Sequence, residues 1–252
     1  MLGLDFSIAS LAMRRKRSAF SPSSIAGLVA WYDPSDQTSL FQDIAMTIPV
    51  TQSGDPVAVM LDKSGNGHHM TQPTSASRPV YQTDGTHHWL WADGADDFLA
   101  APPMISDYDF TMLAAVEAMA ANGGIVTLHA SSSRYWSLHT GAVDANTVYR
   151  ALDRQGAATT LSVSKTVATA PVIVLGQWVA NQVSLSVDGS PFVSAATSGA
   201  ANDAINLRLF SFRDGNHTGG KLHGVAVYER SLDAGERAAL VSAFAHQQGR
   251  SL

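Results

Sequence analysis

The stretch VANQVSLSVDGSPFVSA at residues 179–195 constrains the chain more than any other, because Val183, Leu185 and Val187 alternate with Ser184, Ser186 and Asp188 up to an Asp-Gly pair. A period of two with a turn signal at its end predicts a hairpin strand with one buried and one wet face. The same device recurs. In INLRLFSFRDGN, Ile205, Leu207, Leu209 and Ser211 point one way and Asn206, Arg208, Phe210 and Phe212 the other, so the two phenylalanines require cover on the second face. Further apolar or alternating runs at 28–32, 110–118, 124–130, 135–140 and 221–228 are separated by Gly, Asn, Asp, Ser and Pro clusters. Only the end reads as helical: Asp233 is placed to cap, Glu236 follows at capping-box spacing, and Leu240, Val241 and Phe244 form one stripe. The expectation is an all-β, jelly-roll sandwich of two antiparallel sheets closed by one helix at 233–248.

Composition removes several functions. A formal net charge of -5 provides no broad basic field, so nucleic acid is not an expected partner. Cysteine is absent, which rules out a disulfide framework, and no stretch approaches the ~18 consecutive apolar residues of a membrane span. The first 26 residues read as a separate arm before a domain at 27–252. In the arm Leu4, Ile8 and Leu11 fall at helical spacing and the basic run Arg14 to Arg17 follows the apolar part, the reverse of a secretory signal.

Three stretches taken together, LDKSGNGHH at 61–69, ADGADDFL at 92–99 and GKLHGVAVYERSLDAGERAAL at 220–240, resemble the concanavalin A-like, laminin-G-like sandwich family. In the last of these Val227, Tyr228, Arg230, Leu232, Asp233 and Glu236 carry the likeness. More narrowly, AWYDPSDQTSLFQD and PTSASRPVYQTDG within residues 30–100 look like proteins of tailed bacteriophages, prophages and gene transfer agents. That resemblance implies a lectin-like virion spike or fibre protein at the particle surface, bound to other virion proteins through its arm. Its partner would be a host surface polysaccharide, and weak single sites would make it a homo-oligomer.

For sugar binding the useful groups are aromatic platforms and planar polar side chains; Tyr135, Trp136, Arg213, Asp214, Asn216 and His217 are the candidates, with Trp89 and Trp91 as further rings. Trp31, Trp178 and Phe210 are assigned to the core by their apolar neighbours. Asp93, Asp96 and Asp97 in a Gly-containing loop offer oxygens to calcium, an ion some laminin-G-like relatives bind, although an Asx-turn explains the same residues. SGNG at 64–67 reads as a turn needing positive φ. No catalytic residue is assigned. Glu117, Glu229 and Glu236 are isolated in sequence, whereas a retaining glycosidase needs two carboxylates ~5–5.5 Å apart, so the expectation is a non-enzymatic chain. The alternatives are a purely structural decoration protein and a capsule-degrading hydrolase or lyase, the latter drawing on His129, His139 and Tyr135.

Overall fold

A computed structural model describes residues 20–105, 108–120, 123–131, 134–143, 146–155, 158–160, 165–166, 169–179, 181–197, 205–213 and 216–252. Two antiparallel sheets face each other in a jelly-roll-like sandwich, with one helix, Ala234–Gln247, on the outside of the smaller sheet. The smaller sheet runs Val193–Ala196, Gln182–Val187, Val172–Val179, Phe110–Glu117, Gly219–Tyr228, His88–Asp93 and Val80–Thr83, and Leu28–Tyr32 pairs beside Gly219–Tyr228. At the centre of the larger sheet lie Asn146–Gln155, Arg134–Val143, Gly123–Ser131, Ile205–Leu209 and Leu99–Ile105.

The predicted hairpin forms, with Asp188 (φ 52) and Gly189 (φ 71) both left-handed, as a tight turn matching the strand twist demands. Its second face is not wet. Ser184 and Ser186 are buried: Ser184 is paired beside Ser194 of the neighbouring strand Val193–Ala196, and Ser186 lies close to Phe192 and to Arg237 and Val241 of the helix. Their hydroxyls are satisfied, Ser184 sharing a 2.7 Å bond with Ser194 and Ser186 donating to Ser190 O at 2.6 Å.

The alternation assigned to 205–212 also breaks. Leu207 and Leu209 enter the core as expected, but Phe210 adopts φ 62 and its ring is buried in the same core. A left-handed phenylalanine is strained. The pose persists because Phe210 N donates to Ile125 O (3.1 Å) and Phe210 O accepts from Thr218 N (2.8 Å). Phe212 does take cover on the opposite side, edge-on to Tyr135 at 5.3 Å.

The helix begins as the sequence requires: Glu236 N donates to Asp233 Oδ1 (2.9 Å) and Asp233 N to Glu236 Oε2 (3.0 Å), while Arg230 grips both Glu236 oxygens at 2.9 and 2.6 Å. Leu240, Val241, Phe244 and Ala245 then pack on Leu113, Ile173, Leu175 and Tyr228 of the sheet. Asp233→Ala is expected to lower stability by about 1 kcal/mol, read from urea unfolding, since it removes one cap bond and leaves amides of the first turn unpaired.

Candidate functional site

The SGNG stretch is a turn, with Gly65 at φ 92 and Gly67 at φ 79. Asp62 holds it, accepting from Ser64 N (2.8 Å), His68 N (3.1 Å) and, across the loop, Trp31 N (3.0 Å). The turn thereby brings Lys63 over the Trp31 ring, 4.6 Å from its centre, and within 3.1 Å of Asp33 and 2.9 Å of Asp36. Burial opposes the lysine charge, but the bonds to Asp36 and Asp33 outweigh it and raise the amine above its ordinary value. A loop without chemistry of its own thus fixes the ring and carboxylate that follow.

Trp31 and Asp33 form one wall of a groove of about 660 Å³; Ala239, Ser242, Ala243, His246 and Gln247 of the helix form the other, and Phe20 and Pro22 also line it. On the helix, 239, 242, 243 and 246 follow i, i+3, i+4, i+7 spacing, so small and polar residues occupy one stripe beside the apolar one. Small side chains there leave the space. Two polar atoms of lining residues, Trp31 Nε1 and Gln247 Oε1, are buried and have no hydrogen-bond partner among the described residues, Gln247 Oε1 lying toward Gly224 of the sheet. Past His246 and Gln247 a second groove of about 480 Å³ continues, lined by Ser35, Thr86, His87, His88, Gly249, Arg250 and Ser251. Both lie in the size range of ligand sites, ~300–1,000 Å³.

The sugar candidates read from sequence are placed differently. Trp136 is 0% exposed, edge-on to Tyr108 at 5.6 Å and Phe110 at 5.3 Å. A ring packed on its neighbours in the core has no face for a sugar, which corrects the assignment of Trp136. Tyr135 is buried as well, against Phe212, whose ring also meets His139 at 4.9 Å, so it too is packing and not platform. Asn216 and His217 are half-buried on the hairpin strand Asn216–His217, and the His217 ring meets Phe98 at a tilt, 5.7 Å between centres. Asp214 and the side chain of Arg213 lie outside the described residues. Trp91 is 42% exposed on the outer face of the smaller sheet, and Trp89 lies under Lys221 at 4.7 Å.

Asp93, Asp96 and Asp97 do converge, with ligand oxygens all within 4.8 Å of one another, a spacing a hard cation accepts. Each is also engaged in the turn: Asp93 accepts from Ala95 N, Asp97 from Asp93 N and Asp96 from Ser77 Oγ. Burial, aided by the charges of Asp93 and Asp96, raises the Asp97 carboxyl above its ordinary value.

Glu117, isolated in sequence, is not isolated in space. Its carboxylate lies 2.6 Å from Lys221 Nζ and 3.4 Å from Nε2 of the buried His223. Sequence reasoning missed both this couple and the groove, having placed Trp31 wholly in the core. One signal was present: Trp31 and Asp33 are two apart in AWYDPSD, hence on one side of an extended chain.

No protein-family model matches the chain, and no curated protein matches it. Solved structures share its fold. Domain 4 of AbnA, a GH43 extracellular arabinanase from Geobacillus stearothermophilus in complex with arabinotriose, aligns at TM-score 0.62 and 13% identity over 85% of this chain and 98% of that one. A GH54 α-L-arabinofuranosidase aligns at TM-score 0.63 and 12% identity over 91% of this chain and 66% of that one. Trypanosoma rangeli sialidase aligns at TM-score 0.56 and 15% identity over 86% of this chain, which spans only 32% of the sialidase. At such identities the likeness is one of fold. It corrects the expectation of a non-enzymatic chain by removing its ground, because the structures reported above with this sandwich are of glycoside hydrolases.

Proposed function

We propose that the chain recognises a glycan in the groove beside its helix, and that this serves attachment of a phage-like particle to a host surface polysaccharide. One observation carries the reading: a groove of ligand size sets the half-buried Trp31 ring beside the polar side chains of Ser242, His246 and Gln247. A sugar hydroxyl both donates and accepts, so a polyol suits such groups, while its C–H face suits the ring. The sugar-active neighbours, one of them holding arabinotriose, support this choice of ligand. The particle surface as location rests on the sequence likeness within residues 30–100, and docking to other virion proteins is proposed for the arm, whose residues 1–19 lie outside the described residues. Several copies per particle would convert weak single sites into firm attachment.

The test is retention of the chain on immobilised capsular and cell-wall polysaccharides, alongside Trp31→Phe and Gln247→Leu. Trp31→Phe shrinks the ring a sugar face would meet and Gln247→Leu removes a polar side chain of the lining; a loss of about 1 kcal/mol each should lower affinity roughly five- to tenfold. Unfolding free energy should hold or rise slightly, since each also removes an unpaired buried atom. Absence of binding at any density would return the chain to a structural decoration role. Cleavage is the second reading, favoured by the glycoside hydrolases among the neighbours, and reducing ends or unsaturated sugars released in the same incubation would establish it.

A further inference from the structure

The two grooves share His246 and Gln247 as a common wall, so a ligand leaving the first enters the second. Their linings differ in charge. The first contains the carboxylate of Asp33, paired with Lys63 at 3.1 Å and bonded by Ser35, so it presents no uncompensated positive charge to an anion. No Asp or Glu lines the second, which presents Arg250, three histidine rings and the hydroxyls of Ser35, Thr86 and Ser251. Arg250 Nη1 is held by Asp188 at 2.9 Å and Gln248 Oε1 at 3.4 Å, which orients the guanidinium while its Nε and Nη2 hydrogens have no partner among the described residues. His87 Nδ1 is held in the same way by Asp84 at 3.1 Å, and neither of these carboxylates lines the groove.

The helix C-terminus lies beside this groove, and its carbonyls would ordinarily disfavour an anion. Here they are occupied: Ala245 O accepts from Gln248 N and Arg250 N, and His246 O from Gly249 N. A planar guanidinium with open donors is the group best matched to a carboxylate.

Resting on the glycan reading above, we propose that the ligand is a linear acidic glycan spanning both grooves, with a neutral sugar beside Trp31 and Asp33 and a carboxylate-bearing sugar beside Arg250. Specificity then comes from the second groove and basal affinity from the first.

The test uses the full chain on an array of matched neutral and carboxylate-bearing oligosaccharides, two and four units long, with uronic-acid and sialic-acid members as separate arms. Carboxylate-bearing tetramers should bind about tenfold tighter than neutral ones, the factor one charge-assisted hydrogen bond supplies. Arg250→Gln should abolish that preference; Arg250→Lys should restore part of it; Ser251→Trp, which fills the groove at an exposed position, should remove the advantage of four units over two. Equal binding of neutral and acidic members, or a preference that survives Arg250→Gln, would overturn the proposal while leaving Trp31-dependent neutral binding intact. Binding to no member would instead remove the glycan reading on which it stands.

Discussion

Trp136→Ala is expected to lower the free energy of unfolding by about 3–5 kcal/mol, enough to unfold a marginal domain at moderate temperature. The ring is fully enclosed and is the meeting point of a cluster in which Phe110 stacks on Trp178 at 5.0 Å and meets Trp136 edge-on at 5.3 Å. Phe110 and Trp178 belong to the smaller sheet and Trp136 to the larger, so the cluster pins one layer to the other. Truncation to alanine loses both the transfer energy of the ring and the contacts around the void it leaves. Urea unfolding followed by circular dichroism measures the loss directly. A tryptophan serving as an exposed sugar platform would behave in the opposite way, losing binding at constant stability. Trp136→Ala with unchanged unfolding would therefore return the residue to the surface.

The second large effect is a pH dependence seated at His223. This side chain is 3% exposed on the strand Gly219–Tyr228, where the register shifts between Leu222 and Gly224. Burial depresses its pKa to about 4, overcoming the pull of Glu117, while the charge of Lys221 works in the same direction as burial. The folded state therefore keeps the ring neutral between about pH 6.5 and 4 while the unfolded chain takes up a proton there. Above that window the histidine has no effect; as pH falls through it, stability is lost progressively, by about 3 kcal/mol in all; below it the loss ceases. Urea midpoints at pH 7, 5.5 and 4 should show the slope in the native chain and a flatter profile in His223→Leu. The carboxylate of Glu236, held down to about 2 by Arg230, adds its own loss only as pH falls below its ordinary value of about 4.5, so it overlaps the window at the acid end alone and is common to both chains. A slope unchanged in the variant would assign the dependence elsewhere.

The correct readings from sequence share a physical basis. The Asp188-Gly189 turn, the Asp233–Glu236 cap and the Gly65 and Gly67 turn are each decided by backbone conformation within a few residues. Strand periods are local in the same sense, and the sandwich of two sheets with the helix Ala234–Gln247 follows from them and from the cap. The failures are all questions of cover. Ser184 and Ser186 alternate as solvent-facing residues should, yet lie buried beside a paired strand and close to Phe192 and the helix. Phe210 keeps the alternation in sequence but leaves it in space, since one left-handed residue swings the ring into the core.

The site divides along the same line. The three aspartates at 93, 96 and 97 are close in the chain and are also close in the fold. Neighbours along the chain sorted Trp31, in the apolar run LVAWY, to the core and Trp136, between Arg, Ser and His, to the surface; in the fold Phe110 and Tyr108 close over Trp136, whereas a stripe of small residues on the helix, some 210 positions away, leaves Trp31 beside open space. Glu117 and His223 likewise meet only because the strands Phe110–Glu117 and Gly219–Tyr228 are neighbours in one sheet. The sequence by itself determined the elements, their turns and caps, because these depend on torsions and bonds spanning a few residues. Which side chains were enclosed, left unpaired or set against a groove was decided only by the tertiary structure, since burial is a property of what arrives from elsewhere in the chain.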